Sequence, residues 1–252
     1  MLTITRKPSL HMESGERTFV ERDPIDPAKA LVQHSAYCAA LTSCGLEVET
    51  IEADDSLPDC AFVEDCAVTL GRSALICRPG AQSRTREADS IADELSKTQL
   101  VTRVQAPATL EGGDVLRLGT RILVGSSCRT NAEGIAALRD WAEPLGFHVR
   151  ECDVHGCLHL KTACTFLPDG SLIANRNWVD LPRDLETVDA ADDEPWAANI
   201  LLANGRIVAA SSQQKTNAML RRRGFEVLDV DISEFQKAEA GVTCLSILID
   251  PR

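Results

Sequence analysis

The sequence predicts an α/β protein: a five-bladed, pseudo-symmetric α/β propeller of repeated ββαβ units, one domain over residues 1–252. Three observations carry this reading. Hairpins with tight turns recur along the chain, helices between them end on glycine and pass into an alternating strand, and the composite unit returns about every 40–50 residues. An ordinary mixed α/β sandwich with coincidental hairpins is the competing architecture.

Each element follows from local sequence. Leu2–Thr5 reads as a first strand. Asp26 caps a helix whose first turn holds Pro27. That helix runs out through Ser43 to Gly45, and Leu46–Ile51 alternates as a strand. The same ending recurs at Pro144–Cys152 around Gly146 and at Arg223–Val230 around Gly224. A further helix is expected over Arg84–Ser96, followed by a strand over Leu100–Val104. Hairpins are expected over Ala67–Arg78, turning at Gly71, and over Val115–Gly125, turning at Gly119-Thr120. Two more span Cys164–Asn175 at Asp169-Gly170 and Asn199–Ala210 at Asn204-Gly205. Asp-Gly and Asn-Gly supply the positive φ that two-residue hairpin turns demand. The strand Leu245–Ile249 would pair with Leu2–Thr5 and close the ring.

Composition narrows the partners. A net charge of −12 repels a phosphate backbone and argues against nucleic acid. No apolar run approaches the ~20 residues of a membrane span, so no membrane partner is expected. Ten cysteines without an export signal suggest free thiols in the cytoplasm. Either a monomer or a homodimer is compatible with this composition.

The loops entering each hairpin carry the chemistry. They contribute Asp59, Glu64 and Asp65, then Glu111 and Asp114, then His159, Asn199 and finally Cys244. Equivalent points of a ring of repeats converge, so these groups are expected around one cavity. A thiol and an imidazole suit covalent catalysis, with His as proton donor to the leaving group. Clustered carboxylates call for a cation, and a guanidinium matches them with its planar fork of N–H donors and offers an electrophilic carbon. The bland alternatives are a core cysteine in an apolar strand, a structural histidine in an alternating strand, and solvated acidic turns. A zinc site on Cys152, His155, Cys157 and His159 is a third reading, although their spacing is tighter than usual zinc pairs.

Six segments together resemble the dimethylarginine dimethylaminohydrolase (dimethylargininase) family of the pentein superfamily. They are Pro58–Asp65, Arg78–Arg84, Leu110–Val115, Arg129–Asn131, Leu158–Thr162 and Val242–Ser246, in order along nearly the whole chain. The resemblance implies the five-bladed α/β propeller and hydrolysis of Nω-methylated L-arginine to L-citrulline and a methylamine, with no cofactor and no metal. By motif it implies Cys244 as nucleophile, His159 as proton donor and Glu111 as the acid supporting it. It also implies substrate contacts from Asp59, Glu64 and Asp65 with Phe62 beside them, and from Arg84 and Arg129 to the α-carboxylate. The backbone at Ala238 would meet the α-amino group. The chain departs from the family's pattern in Glu239-Ala240-Gly241 before the nucleophile and in the charged loop Ser9–Asp23, which in the family contributes a backbone contact to substrate. A related hydrolase of arginine or another ω-substituted guanidine, and a non-catalytic propeller used as a binding module, are the competing functions.

Overall fold

The computed structural model describes residues 1–250. Its strands form five three-stranded sheets arranged as a propeller-like ring. The chain opens with β1 (Leu2–Arg6), α1 (Pro27–Ser43) and β2 (Glu47–Ile51). The second blade holds β3 (Ala67–Leu70), β4 (Ser73–Ile76), α2 (Glu87–Ser96) and β5 (Leu100–Arg103). The third holds β6 (Val115–Leu118), β7 (Arg121–Ser126), α3 (Ala132–Ala142) and β8 (His148–Asp153). The short α4 (Leu160–Ala163) leads into β9 (Cys164–Phe166), β10 (Leu172–Ala174) and β11 (Thr187–Asp189). The last full blade is β12 (Ile200–Ala203), β13 (Arg206–Ala210), α5 (Gln214–Arg222) and β14 (Val227–Val230), followed by α6 (Ser233–Lys237) and β15 (Ile247–Ile249).

In every sheet the middle strand pairs antiparallel on one side and parallel on the other, as a hairpin followed by a returning strand requires. The ring closes where expected: Leu2 pairs with Ile249, Thr3 with Leu248 and Ile4 with Ile247, while β1 also pairs parallel with β2. Inner strands such as β13 are buried on both faces and read as continuous apolar runs. Outer strands such as β2 and β5 are mostly exposed, and their Glu47, Glu49 and Arg103 blunt the free edges.

Local chemistry explains the punctuation. The Asp26 side chain accepts from the N–H groups of Ala28 and Lys29, and the Asn131 side chain accepts from Gly134 N–H, so α1 and α3 are both capped. Asn204 and Gly205 take φ of 48° and 80°, the left-handed pair that a two-residue hairpin turn needs. Three expectations require correction. The turn at Asp169-Gly170 belongs to a five-residue loop, 167–171, because Leu167 and Ser171 bond across it before the strands pair. The fourth blade has no helix between β10 and β11; residues 175–186 have no helical period to sustain one. The helix expected from Arg84 begins at Glu87, leaving Arg84 in a preceding 3-10 turn.

Candidate active site

Three of the hairpins, and the closing strand β15, are entered through a short helical turn, and each turn delivers a candidate group. Phe62 precedes the turn Val63–Cys66, Glu111 precedes Gly112–Asp114, His159 precedes α4, and Cys244 lies within Thr243–Leu245. His159 is therefore at a helix start that enters a hairpin, as expected, and not in the alternating strand of the bland alternative, since β8 stops at Asp153. One cleft is lined by Glu16, Asp59, Phe62, Asp65, Arg84, Arg129, Leu158, His159, Ala238, Glu239, Ala240 and Cys244. Of the expected site residues, Glu111 lies directly beneath this lining and Glu64 lies outside it.

The centre is a buried charge cluster. His159 Nε2 lies 2.6 Å from Glu111 Oε2, and His159 Nδ1 lies 3.8 Å from Asp65 Oδ1. Arg84 Nη1 donates to Asp65 Oδ2 at 2.9 Å, while its Nε and Nη2 fork onto Glu87. Burial opposes charging the His159 ring, but Asp65, Asp114 and Glu111 win and push it up to about 9. Burial likewise opposes the Glu111 carboxylate, yet the hydrogen bond and charge of His159 hold it below the usual range. The resting pair is thus imidazolium and carboxylate. Gly113 makes the arrangement possible: a Cβ there would sit 2.6 Å from His159 Nδ1 and 2.8 Å from Asp65 Oδ1. Asp114 supports the same turn from below, accepting from Leu160 N–H at 2.9 Å and from the Ser127 hydroxyl at 2.6 Å.

Among the described residues, Asp65, Glu111 and His159 are the group whose ligand atoms approach closely enough to share an ion. Arg84 already stands against both carboxylates, at 2.9 Å and 3.8 Å. The four residues of the alternative zinc reading do not converge; His155 is exposed and Cys157 turns its thiol to the His159 carbonyl.

Cys244 is buried, and its Sγ accepts from Gly241 N–H at 3.4 Å. Burial pushes the thiol well above its ordinary range, and the Glu64 and Asp65 carboxylates push it the same way. At rest the group is a neutral thiol. Its turn is fixed from two sides. Tyr37 of α1, fully buried, donates to Val242 O at 2.8 Å and meets Ser246 Oγ at 2.7 Å. Behind the turn, Thr243 donates to Glu64 Oε2 at 2.7 Å, and Asn199 bridges Thr243 Oγ1 and Lys161 O. Glu64 completes this network by pairing with Lys161 Nζ at 2.7 Å, so its carboxylate faces a second cavity shared with Lys161 and Thr243.

Two polar atoms in the cleft are buried without a hydrogen-bond partner: Asp59 Oδ1, and Arg129 Nη1, which stands 3.8 Å from Glu111 Oε1. A buried unpaired polar atom is costly, and two of opposite character in one cleft suit a zwitterionic ligand. Arg84, expected alongside Arg129, already has its donors engaged by Glu87, Asp65 and Phe62 O. Sequence reasoning missed Lys161 and Tyr37 as supports of the thiol turn, expected Asn199 around the cavity although it lies behind that turn, and noted Glu239 only as a departure from pattern. Lys161 was two residues from His159; Tyr37 carried no local signal.

A family model described as "N,N dimethylarginine dimethylhydrolase, eukaryotic" matches residues 16–162. An N(G),N(G)-dimethylarginine dimethylaminohydrolase of Streptomyces coelicolor is 41% identical over 97% of this chain and 95% of its own length. Among solved structures, a dimethylarginine dimethylaminohydrolase adduct with S-methyl-L-thiocitrulline superposes with a TM-score of 0.93 at 33% identity, covering 98% of each chain. A mutant of the Pseudomonas aeruginosa enzyme complexed with citrulline gives 0.92 at 32% identity, again covering 98% of each.

Proposed function

From the membership of this chain in the dimethylarginine dimethylaminohydrolase family, we propose that it hydrolyses Nω-methylated L-arginine to L-citrulline and a methylamine. Residues 1–252 would act as one catalytic domain in the cytoplasm, where ten free thiols are at home, as monomer or homodimer. Among the described residues no helix is long and apolar enough to cross a membrane.

The observation that carries the reading is a neutral thiol, an imidazolium and a surplus of carboxylates on the wall of a single cleft. A guanidinium entering between Asp65 and Cys244 brings positive charge to a thiol whose pKa is raised by burial and carboxylates. That charge favours the thiolate, and the thiol proton passes to solvent. The thiolate adds to the guanidinium carbon. His159 then gives its proton to the methylated nitrogen, the C–N bond breaks with its electron pair leaving on the amine, and a thiouronium remains on Cys244. Neutral His159, oriented by Glu111, takes a proton from the water that attacks the same carbon. The C–S bond breaks with its electron pair on sulfur, the remaining hydroxyl proton passes to that thiolate, and citrulline departs with the thiol restored.

In this reading Arg129 holds the α-carboxylate, Asp59 and the Ala238 backbone meet the α-amine, and Phe62 walls the aliphatic part. Arg84 acts chiefly by fixing Asp65, and Glu64 by fixing the Cys244 turn through Thr243. Citrulline release assayed over dimethylarginine, monomethylarginine, arginine and agmatine tests it. Preference for plain arginine would favour the related guanidine hydrolase, and no turnover on any would favour a binding module.

A further inference from the structure

Glu239 stands in the cleft wall with its carboxylate buried and, among the described residues, no cationic side chain paired to it. Both oxygens instead clasp the segment 15–20: Oε2 accepts from Thr18 N–H at 2.6 Å and Oε1 from Phe19 N–H at 2.8 Å. Its backbone lies at φ 65°, a left-handed conformation shared, among non-glycine residues described, only with Asn204. Asn204 is a turn residue whose short amide tolerates that region; a glutamate there is strained by about 1 kcal/mol.

The clasped segment roofs the cleft. Glu16 N–H donates to Asp59 Oδ2 at 2.9 Å, and Gly15 packs so close that a Cβ would sit 2.1 Å from Asp59 Oδ1. Arg129 Nη2 donates to Thr18 Oγ1 at 3.3 Å, and Ser83 hydrogen-bonds the Glu16 side chain. Arg17 braces the segment internally, reaching Asp23 O and Glu13 O at 3.0 Å each. Besides Glu239, the segment is therefore held to Asp59 and Arg129, the two cleft side chains with a buried atom lacking a hydrogen-bond partner.

We infer that Glu239 is a specificity-determining latch: by holding Thr18 and Phe19 it closes segment 15–20 over the amino-acid end of the substrate, so that only a free α-amino acid fits. The substrate named here rests on the function proposed above, but the latch itself does not. A residue joined to either α-group would have to displace the strap from Asp59 or Arg129.

The test uses Glu239→Gly, because glycine adopts the left-handed backbone without strain and the variant loses only the clasp. Glu239→Gln serves as the second variant; it keeps one acceptor oxygen and replaces the other with a donor facing an N–H. Cleavage by trypsin at Arg17 and Arg22 should speed up about tenfold or more in Glu239→Gly, as loss of charge-assisted bonds implies, and less in Glu239→Gln. Thermal midpoint should be unchanged or higher for the glycine variant. With dimethylarginine, KM should rise about tenfold while kcat changes less than about threefold, and relative activity on a C-terminally amidated methylarginine should increase. Unchanged tryptic protection in Glu239→Gly overturns the latch whatever the enzyme's substrate. A fall in kcat and thermal midpoint with KM unaltered also overturns it, since that is a structural role. Opened tryptic sites without any turnover by the parent would leave the latch standing and sink the proposed substrate.

Discussion

His159 Nε2 and Glu111 Oε2 lie 2.6 Å apart, and the two side chains are almost fully enclosed, at 2% and 0% exposure. The pair is the chemical centre of the cleft, because each partner fixes the other's protonation state. His159 keeps its proton up to about 9, which suits a group that must donate to a departing amine.

Activity should therefore fall on an alkaline limb near pH 9, visible in a kcat profile. His159→Ala should lower kcat by about 10²–10⁴ with a smaller change in KM. Stability follows the same group. Its folded pKa is raised above the unfolded value of about 6.5, so its contribution is complete below that pH and lost as pH rises through about 9. Chemical denaturation at pH 6 and pH 10 should show the loss, and Glu111→Gln should reduce that difference without removing it, because Asp65 and Asp114 also raise the His159 pKa.

Cys244→Ser should eliminate turnover while the thermal midpoint stays close to that of the parent, because serine is a far weaker nucleophile. Iodoacetamide should inactivate the parent at Cys244, and substrate should slow it. Citrulline formation by the serine variant at the parental rate would sink the covalent mechanism.

The two cleft arginines should separate. Arg129→Ala should weaken use of dimethylarginine about 10- to 150-fold in kcat/KM through loss of a charge-assisted bond to the carboxylate. Its activity on the decarboxylated analogue, which lacks that group, should hardly change. Arg84→Ala strands Asp65 and Glu87 in the interior and should cost about 3–5 kcal/mol of stability. Denaturant titration and paired substrate kinetics distinguish these outcomes. Equal loss on both substrates for Arg129→Ala would remove it from the carboxylate.

Tyr37→Phe should be destabilising by about 1–3 kcal/mol, since it deletes a buried hydroxyl and leaves Val242 O and Ser246 Oγ without that partner. A drop in kcat larger than the stability loss explains, measured well below the thermal midpoint, would mark it as positioning the nucleophile.

What was legible in the sequence is what is local. Gly71, Gly119 and Asn204-Gly205 fix their turns within two residues, and Gly45, Gly146 and Gly224 end helices by their own positive φ. Repetition of those signals was enough to count blades and to bring distant loops together. Adjacent residues were harder. Asp65 faces the cleft while Glu64, one residue earlier on the same short turn, faces the second cavity, and only the partner Lys161 from another blade decides it. Arg84 was read from its motif, but Glu87, three residues on, engages its guanidinium. The fourth blade's absent helix went unseen because the repeat was extended across residues 175–186, which carry no apolar period.

Ring closure has a kinetic meaning for the enzyme. Cys244 sits just before β15, and β15 pairs with β1 across almost the whole chain, Leu2 against Ile249, and is tied to β3 by the Thr69 hydroxyl donating to Leu248 O. Contacts of such sequence separation form late and slowly, because their loop entropy must be met before they contribute. A chain synthesised through β14 would hold His159, Glu111 and Asp65 but not Cys244. Recovery of catalysis during refolding should accordingly lag the recovery of secondary structure, and activity would report the last step of assembly rather than its progress.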